Sequence, residues 1–292
     1  MGERTKWLVS TQWLETHLDS PDVVVLDGSW YLPHEQRDPE AEYRAEHIPG
    51  SFYFDMDAIA DLSTDLPHML PTASDFSAAV QTLGISDGQK IVIYDGVGLR
   101  SSPRIWWTFR TMGVQDVCIL DGGLPKWKAE GRPLSDLVPT PHVGRFSARL
   151  DHGSVRSYDD VLKAVNTQAI QIVDARSEER WLGQAPEPRP NIPSGRFPGS
   201  KNVPFPDLVD ENGCLRDIAA LRQRFIDAGV DLDKPVITSC GSGATAAILT
   251  LALDTIGHGQ LGLYDGSWAE WASREGSPID CEPGAPFGPN GG

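Results

Sequence analysis

Residues 236–253 read VITSCGSGATAAILTLAL. A short β-branched run ends in Cys240, glycines and small residues follow, and an apolar helix pattern then begins. Continuous rather than alternating apolar character marks a strand buried on both faces, as in a parallel sheet. The helix pattern closes on Gly257 in the C′ role. Strand, turn and helix in that order form the repeating unit of an α/β layer fold.

Outward from this stretch, the chain repeats itself. IVIYDGVG at 91–98 answers VITSCGSG at 236–243, and VVVLDGSW at 23–30 answers IQIVDARS at 170–177. HIPGSFYFD at 47–55 answers RFPGSKNVPF at 196–205, and VCILDGGLPKWKAEGRPL at 117–134 answers LGLYDGSWAEWASREGSPI at 261–279. Four blocks in one order, offset by half the chain, are a duplicated domain rather than a solenoid. The runs Val23–Leu26, Ile91–Tyr94, Val117–Leu120, Ile170–Val173, Val236–Thr238 and Leu261–Tyr264 are the predicted strands. SPRIWWTFRTMG and ATAAILTLALDTIG are predicted helices. The expected layout is a first domain over 1–138, a linker over 139–154 and a second domain over 155–280. The tail at 281–292 is too rich in Pro and Gly to be expected to pack. The repeated DG…W signature (Asp121/Trp127, Asp265/Trp271) reads as turn plus core.

Composition narrows the function. The 292 residues carry a formal charge of −16, which speaks against nucleic-acid binding. No apolar run reaches membrane-spanning length, and MGERTKWLVSTQWLETHL has neither a signal-peptide core nor a transit-peptide composition. The four cysteines (Cys118, Cys214, Cys240, Cys281) have no CxxC spacing, and the histidines lack metal-ligand spacing. A reducing, cytoplasmic setting without metal or cofactor is the expectation.

The two copies differ most usefully in one loop. Where the second has Cys240-Gly241-Ser242-Gly243, the first has Asp95-Gly96-Val97-Gly98. Ligands bind at the carboxyl ends of strands in open parallel sheets. A loop of small residues there can turn its N–H groups inward, ahead of a helix N-terminus. Gly241 and Gly243 permit the left-handed angles such a curl needs. Cys240 is therefore read as a thiolate nucleophile, cradled by Gly241, Ser242, Gly243, Ala244 and Thr245. Cys118, inside VCIL, reads instead as a small core hydrophobe, and Cys214 and Cys281 have no such context.

The tandem arrangement, CGSGATA, HIPGS with RFPGS, and LDGGLPKW with YDGSWAEW resemble the rhodanese family of sulfurtransferases over nearly the whole chain. The resemblance implies two rhodanese-like α/β domains, each a mainly parallel sheet flanked by helices, with the second catalytic and the first inactive at Asp95. The CGSG loop is similar to the 3-mercaptopyruvate subgroup. Thiosulfate-using members typically place basic residues where this chain has Ser242 and Gly243. A dianion would miss that charge. The resemblance further implies a Cys240 persulfide, a Ser242–His68–Asp57 proton relay, and Arg180 and Arg189 as holders of the donor's carboxylate and keto oxygen. The small-molecule donor would pass its sulfur to cyanide, a low-molecular-weight thiol or thioredoxin. Arg100 departs from the family pattern at a position that relatives usually fill with an aromatic. It could add cleft charge and restore thiosulfate use, or turn outward. Arg176 and Arg196 lie nearby; Arg176 is expected to pair within its strand-end turn. Two alternatives stay open: a thiosulfate:cyanide sulfurtransferase, and a non-enzymatic persulfide carrier or sulfur-relay scaffold. A cysteine phosphatase is excluded, because the residues after Cys240 include no phosphate-clamping arginine.

Overall fold

In the computed structural model, which describes residues 5–289, all six β-branched runs form strands. The chain divides into two units. The first comprises the chain through Ser63 with Leu70–Asp151 and Val209–Leu215; the second comprises Thr64–Met69, His152–Leu208 and the chain from Arg216 onward. Each unit thus holds one copy of the repeat and a short segment from the other.

The first unit contains β1 (Leu8–Val9), α1 (Thr11–His17), β2 (Val23–Asp27), α2 (Pro39–Ala45), β3 (Phe52–Tyr53), α3 (Ala73–Thr82), β4 (Lys90–Tyr94), α4 (Ser102–Thr111), β5 (Val117–Leu120) and α5 (Gly123–Ala129). Its sheet is parallel throughout, in the order β1-β5-β4-β2-β3. The second unit repeats this with β6 (Val155–Arg156), α6 (Tyr158–Thr167), β7 (Gln171–Asp174), α7 (Glu178–Leu182), β8 (Lys201–Asn202), α8 (Ile218–Asp227), β9 (Val236–Ser239), α9 (Ala246–Thr255), β10 (Leu261–Tyr264) and α10 (Ser267–Trp271). Its order, β6-β10-β9-β7-β8, is the same pattern and again all parallel. The central strands β4 and β9 are buried almost along their length, which is why their sequences do not alternate.

Local chemistry starts five of the helices. Ser10, Asp38, Thr72, Ser157 and Asp217 each accept a backbone N–H as N-caps. Helix α9 buries every residue from Ala246 to Leu253, so its apolar character runs all the way round. The DG…W tryptophans are core anchors with satisfied indoles. Trp127 Nε1 donates to Pro133 O at 2.7 Å and Trp271 Nε1 to Pro278 O at 3.0 Å. No helix among the described residues is long and apolar enough to cross a membrane.

Two stretches are better held than their composition suggests. The segment at 139–154 has no helix or strand before β6, yet its residues through Asp151 belong to the first unit. Gly144 N–H donates to Gln81 O, Arg149 N–H to Met112 O, and Asp151 N–H to Thr111 O, all within 2.9 Å. Phe146 is buried against Phe76 and Phe109. The described part of the tail, 281–289, also packs, contrary to expectation. Glu282 N–H reaches Leu182 O, and Phe287 both donates to Gly183 O and accepts from Ser194 N–H. Proline and glycine forbid regular structure there, but the backbone hydrogen bonds of the α7 turn supply what a helix or strand would have.

Candidate active site

The second unit builds its site at the carboxyl end of β9. Cys240 follows the last strand residue and is 1% exposed. Its carbonyl accepts Trp268 N–H at 2.9 Å, and the Gly241 carbonyl accepts Ala269 N–H at 2.9 Å. A trans peptide holds its C=O and N–H on opposite sides. Tying these two carbonyls to α10 therefore turns the N–H groups of Gly241 and Ser242 the other way, into the loop. Of the two glycines anticipated for the curl, Gly243 takes the left-handed angle, φ +77°, and Gly241 does not. Ser242, Gly243 and Ala244 are buried, while Gly241 and Thr245 are partly open.

The base of the loop rests on a residue that the sequence reading missed. Cys240 N–H donates to Ser267 Oγ at 3.2 Å, and Ser267 Oγ in turn donates to Tyr264 O at 2.8 Å. Ser267 adopts φ +49°, where a non-glycine residue is strained.

The first copy shows what such a loop can hold. Its Asp95 carboxylate fills the turn: Oδ1 accepts from Val97 N–H (3.0 Å) and Gly98 N–H (2.9 Å). Oδ2 accepts from the N–H groups of Arg100, Ser101 and Ser102 at 2.8–3.0 Å and from Ser102 Oγ at 2.7 Å. An anion at this point of the fold is thus met by five backbone donors.

Around the second loop lies an arginine–carboxylate chain. Arg180, on α7, brings Nη2 so close to the loop that a methyl group on Gly241 would lie 3.0 Å from it. Arg180 pairs with Glu187, which also accepts Arg176 Nη1 at 2.7 Å. Arg176 is fully enclosed, bonded to both Asp174 oxygens and to Gly195 O, with its guanidinium 4.1 Å from the Trp268 ring centre. Burial works to lower its pKa, but the charges of Asp174 and Glu187 outweigh this and raise it. Arg176 is therefore structural, as its strand-end position implies. Arg196 is likewise engaged, with Asp280 at 3.1 Å. Glu187 is the second residue the sequence reading missed; it orients Arg180 beside the loop.

The remaining candidates divide between the units. His68 lies in the segment Thr64–Met69 of the second unit, as does Ser242. It is 6% exposed and adopts φ +61°, a strained angle of the kind that clusters at functional sites. Arg189 is half-buried in the stretch between α7 and β8. Asp57 belongs to the first unit, where its exposed carboxylate accepts Trp30 Nε1 at 2.8 Å. Arg100, also in the first unit, forks onto Glu35 and pulls the Glu35 pKa down through that hydrogen bond. Its charge is compensated. Cys118 lies buried within β5, and Cys214 is buried in the 209–215 segment that packs on Gly98 of the first copy's loop; neither ends a central strand ahead of a helix as Cys240 does.

The rhodanese-like domain model matches this sequence twice, at residues 10–130 and 157–274, one match for each sheet. The chain belongs to the rhodanese family. This rhodanese protein is 40% identical over 277 residues to the 3-mercaptopyruvate sulfurtransferase of Escherichia coli K12, covering 94% of this chain and 98% of that one. It is 40% identical over 294 residues to thiosulfate/3-mercaptopyruvate sulfurtransferase 1, mitochondrial, of Arabidopsis thaliana, covering 94% and 78%. The crystal structure of SseA from Escherichia coli, a 3-mercaptopyruvate sulfotransferase, aligns with a TM-score of 0.84 at 39% identity, covering 90% of this chain and 99% of that one.

Proposed function

We propose that this rhodanese-family protein is a 3-mercaptopyruvate sulfurtransferase that works through a persulfide on Cys240. The observation that supports this reading best is the neutral loop that presents Cys240 at the end of β9, with Arg180 beside it. Thiosulfate is a dianion and needs fixed cations in the loop. This loop has no basic side chain from Gly241 to Thr245, and the Arg100 guanidinium is spent on Glu35. A keto acid places its single carboxylate on arginine, whose planar fork suits it. Arg180 and Arg189 are the donor-holding residues in this reading.

In the first half-reaction the Cys240 sulfur attacks the donor's sulfur. The S–S bond forms as the C–S bond breaks, and the electron pair passes to C3 of the departing pyruvate enolate. A proton delivered to C3 completes pyruvate, with Ser242 and His68 as the relay. The inward N–H groups of the loop hold the outer sulfur as an anion. In the second half-reaction a thiolate or cyanide takes that sulfur, and Cys240 returns as a thiolate. Candidate thiol acceptors are thioredoxin and low-molecular-weight thiols.

The test is sulfur transfer to cyanide by purified protein, with 3-mercaptopyruvate and thiosulfate compared side by side. A strong preference for mercaptopyruvate, abolished in Cys240→Ser, is expected. A preference for thiosulfate overturns the donor assignment, and a fully active Cys240→Ser overturns the mechanism.

A further inference from the structure

Asp27 ends β2 as Asp174 ends β7, and the backbone around the two is the same. Gly28 N–H donates to Tyr94 O and Ala175 N–H to Ser239 O, both at 2.8 Å. Ser29 N–H and Arg176 N–H each reach the aspartate two residues earlier at 2.9 Å. Ser29 of the first unit therefore stands where Arg176 stands in the second. In the second unit the Arg176 guanidinium fills the space above Asp174, roofed by Trp268 and held by the Gly195 carbonyl. In the first, the matching positions are the smaller Leu124 for Trp268 and Glu46 for Gly195, and the guanidinium is gone. What remains there is a cavity of about 440 Å³ bounded by Asp27, Ser29, Tyr31, Glu46 and Leu124 among others. That volume is within the ~300–1,000 Å³ of small-molecule sites.

The charges of the cavity wall are already matched, except at its floor. Arg37 forks onto Glu42 at 2.8 and 2.6 Å, and Lys128 pairs with Glu46. Asp27 is 2% exposed and takes its hydrogen bonds from the N–H and hydroxyl of Ser29, neutral groups in place of its counterpart's arginine. Burial pushes its carboxyl up to about 6; Ser29 and Tyr94 pull it down, and the Asp95 charge adds to the rise. A buried carboxylate in that condition gains most from a cation that can also donate hydrogen bonds.

We propose that this cavity of the first unit is a binding site for a small organic cation, whose guanidinium or primary ammonium group takes the place that Arg176 fills in the second. The rest of such a ligand would lie along Tyr31 and Leu124 toward the opening. This site is lined by first-unit residues alone and does not depend on the sulfur chemistry.

Calorimetric titration of the full chain with methylguanidinium chloride, with sodium chloride and sodium acetate as controls, tests the proposal. Saturable binding of methylguanidinium is expected, with none for acetate. Asp27→Asn keeps the shape but removes the charge, and should weaken binding about tenfold or more, the cost of losing a buried charge-assisted partner. Ser29→Arg supplies the guanidinium from the chain itself and should abolish binding while leaving turnover of the sulfur donor unchanged. Near-UV circular dichroism confirms that each variant is folded. No saturable binding to the folded wild type, undiminished binding in folded Asp27→Asn, or preferential binding of acetate at Arg37 and Lys128 overturns it.

Discussion

At Ser267 the backbone sits at φ +49°, and at Gly123, its counterpart in the first copy, it sits at +53°. Glycine occupies that angle without cost, whereas serine gives up about 1–2 kcal/mol. The second copy keeps the strained residue because its hydroxyl holds Cys240 N–H and Tyr264 O together. Ser267→Gly should relieve the strain but leave a buried N–H without its acceptor, a loss of about 1–3 kcal/mol. The two effects nearly offset, so the melting temperature should hardly move while kcat for sulfur transfer falls. Ser267→Ala keeps the strain and loses the hydroxyl, and should lower both. Equal activity in all three proteins would show that the serine does not position the loop. Asp27 makes a second prediction at this scale. Its carboxyl is raised from 3.8 to about 6, so the folded state binds a proton that the unfolded state has released between those pH values. The ionised carboxylate therefore costs stability above pH 6, and that cost fades as pH falls toward 4. Asp27→Asn should stabilise the protein at pH 7 by up to about 3 kcal/mol and make no difference near pH 4, as urea titrations at the two pH values would reveal.

Among the elements, the two strand-to-helix loops share one position and differ in the side chain they carry, Asp95 in the first and Cys240 in the second. Asp95 is the internal ligand of the first, accepting five N–H groups and a hydroxyl. Asp95→Asn keeps the size but can present an N–H₂ to three backbone donors that need an acceptor. Destabilisation of about 3 kcal/mol or more is expected in urea unfolding. A near-wild-type midpoint would mean that the loop holds its curl without an anion. This kinship between loops was legible in the sequence, because strand end, glycines and helix start coincide in both copies. The six longer strands were legible too, to within a residue at each end. The two-residue strands β1, β3, β6 and β8 were not, since two residues carry no period and owe their state to the neighbour they pair with. Glu187 and Ser267 escaped for a related reason. Glu187 matters only because Arg176 and Arg180 converge on it in space, and Ser267 because of its backbone angle. Neither property is written in local spacing.

Over the whole molecule, the duplicated chain exchanges short segments. Val209–Leu215, from the second half of the sequence, belongs to the first unit, and Thr64–Met69, from the first half, to the second. The first of these is a small hairpin closed by the Val209–Leu215 bridge. Its Leu215 N–H donates to the buried Asp121 carboxylate at 3.1 Å. Its Gly213 approaches Gly98 so closely that a methyl group on either would come within about 3.0 Å of the other's Cα. The second segment carries His68. A break between the repeats at Asp151 therefore does not yield two complete domains. Fragment 1–151 lacks the partner that Leu215 gives to Asp121 and the cover over the Asp95 loop. It should be less stable than the same fragment fused to Val209–Leu215 through a flexible linker, by about 1–3 kcal/mol for the loss of one hydrogen bond to a buried carboxylate. Thermal melts of the two fragments side by side measure this directly. If both melt together, the hairpin is a passenger on the first unit. A clear gap would mean that the ancestral single domain, when it was doubled, came to depend for its fold on seven residues of its copy.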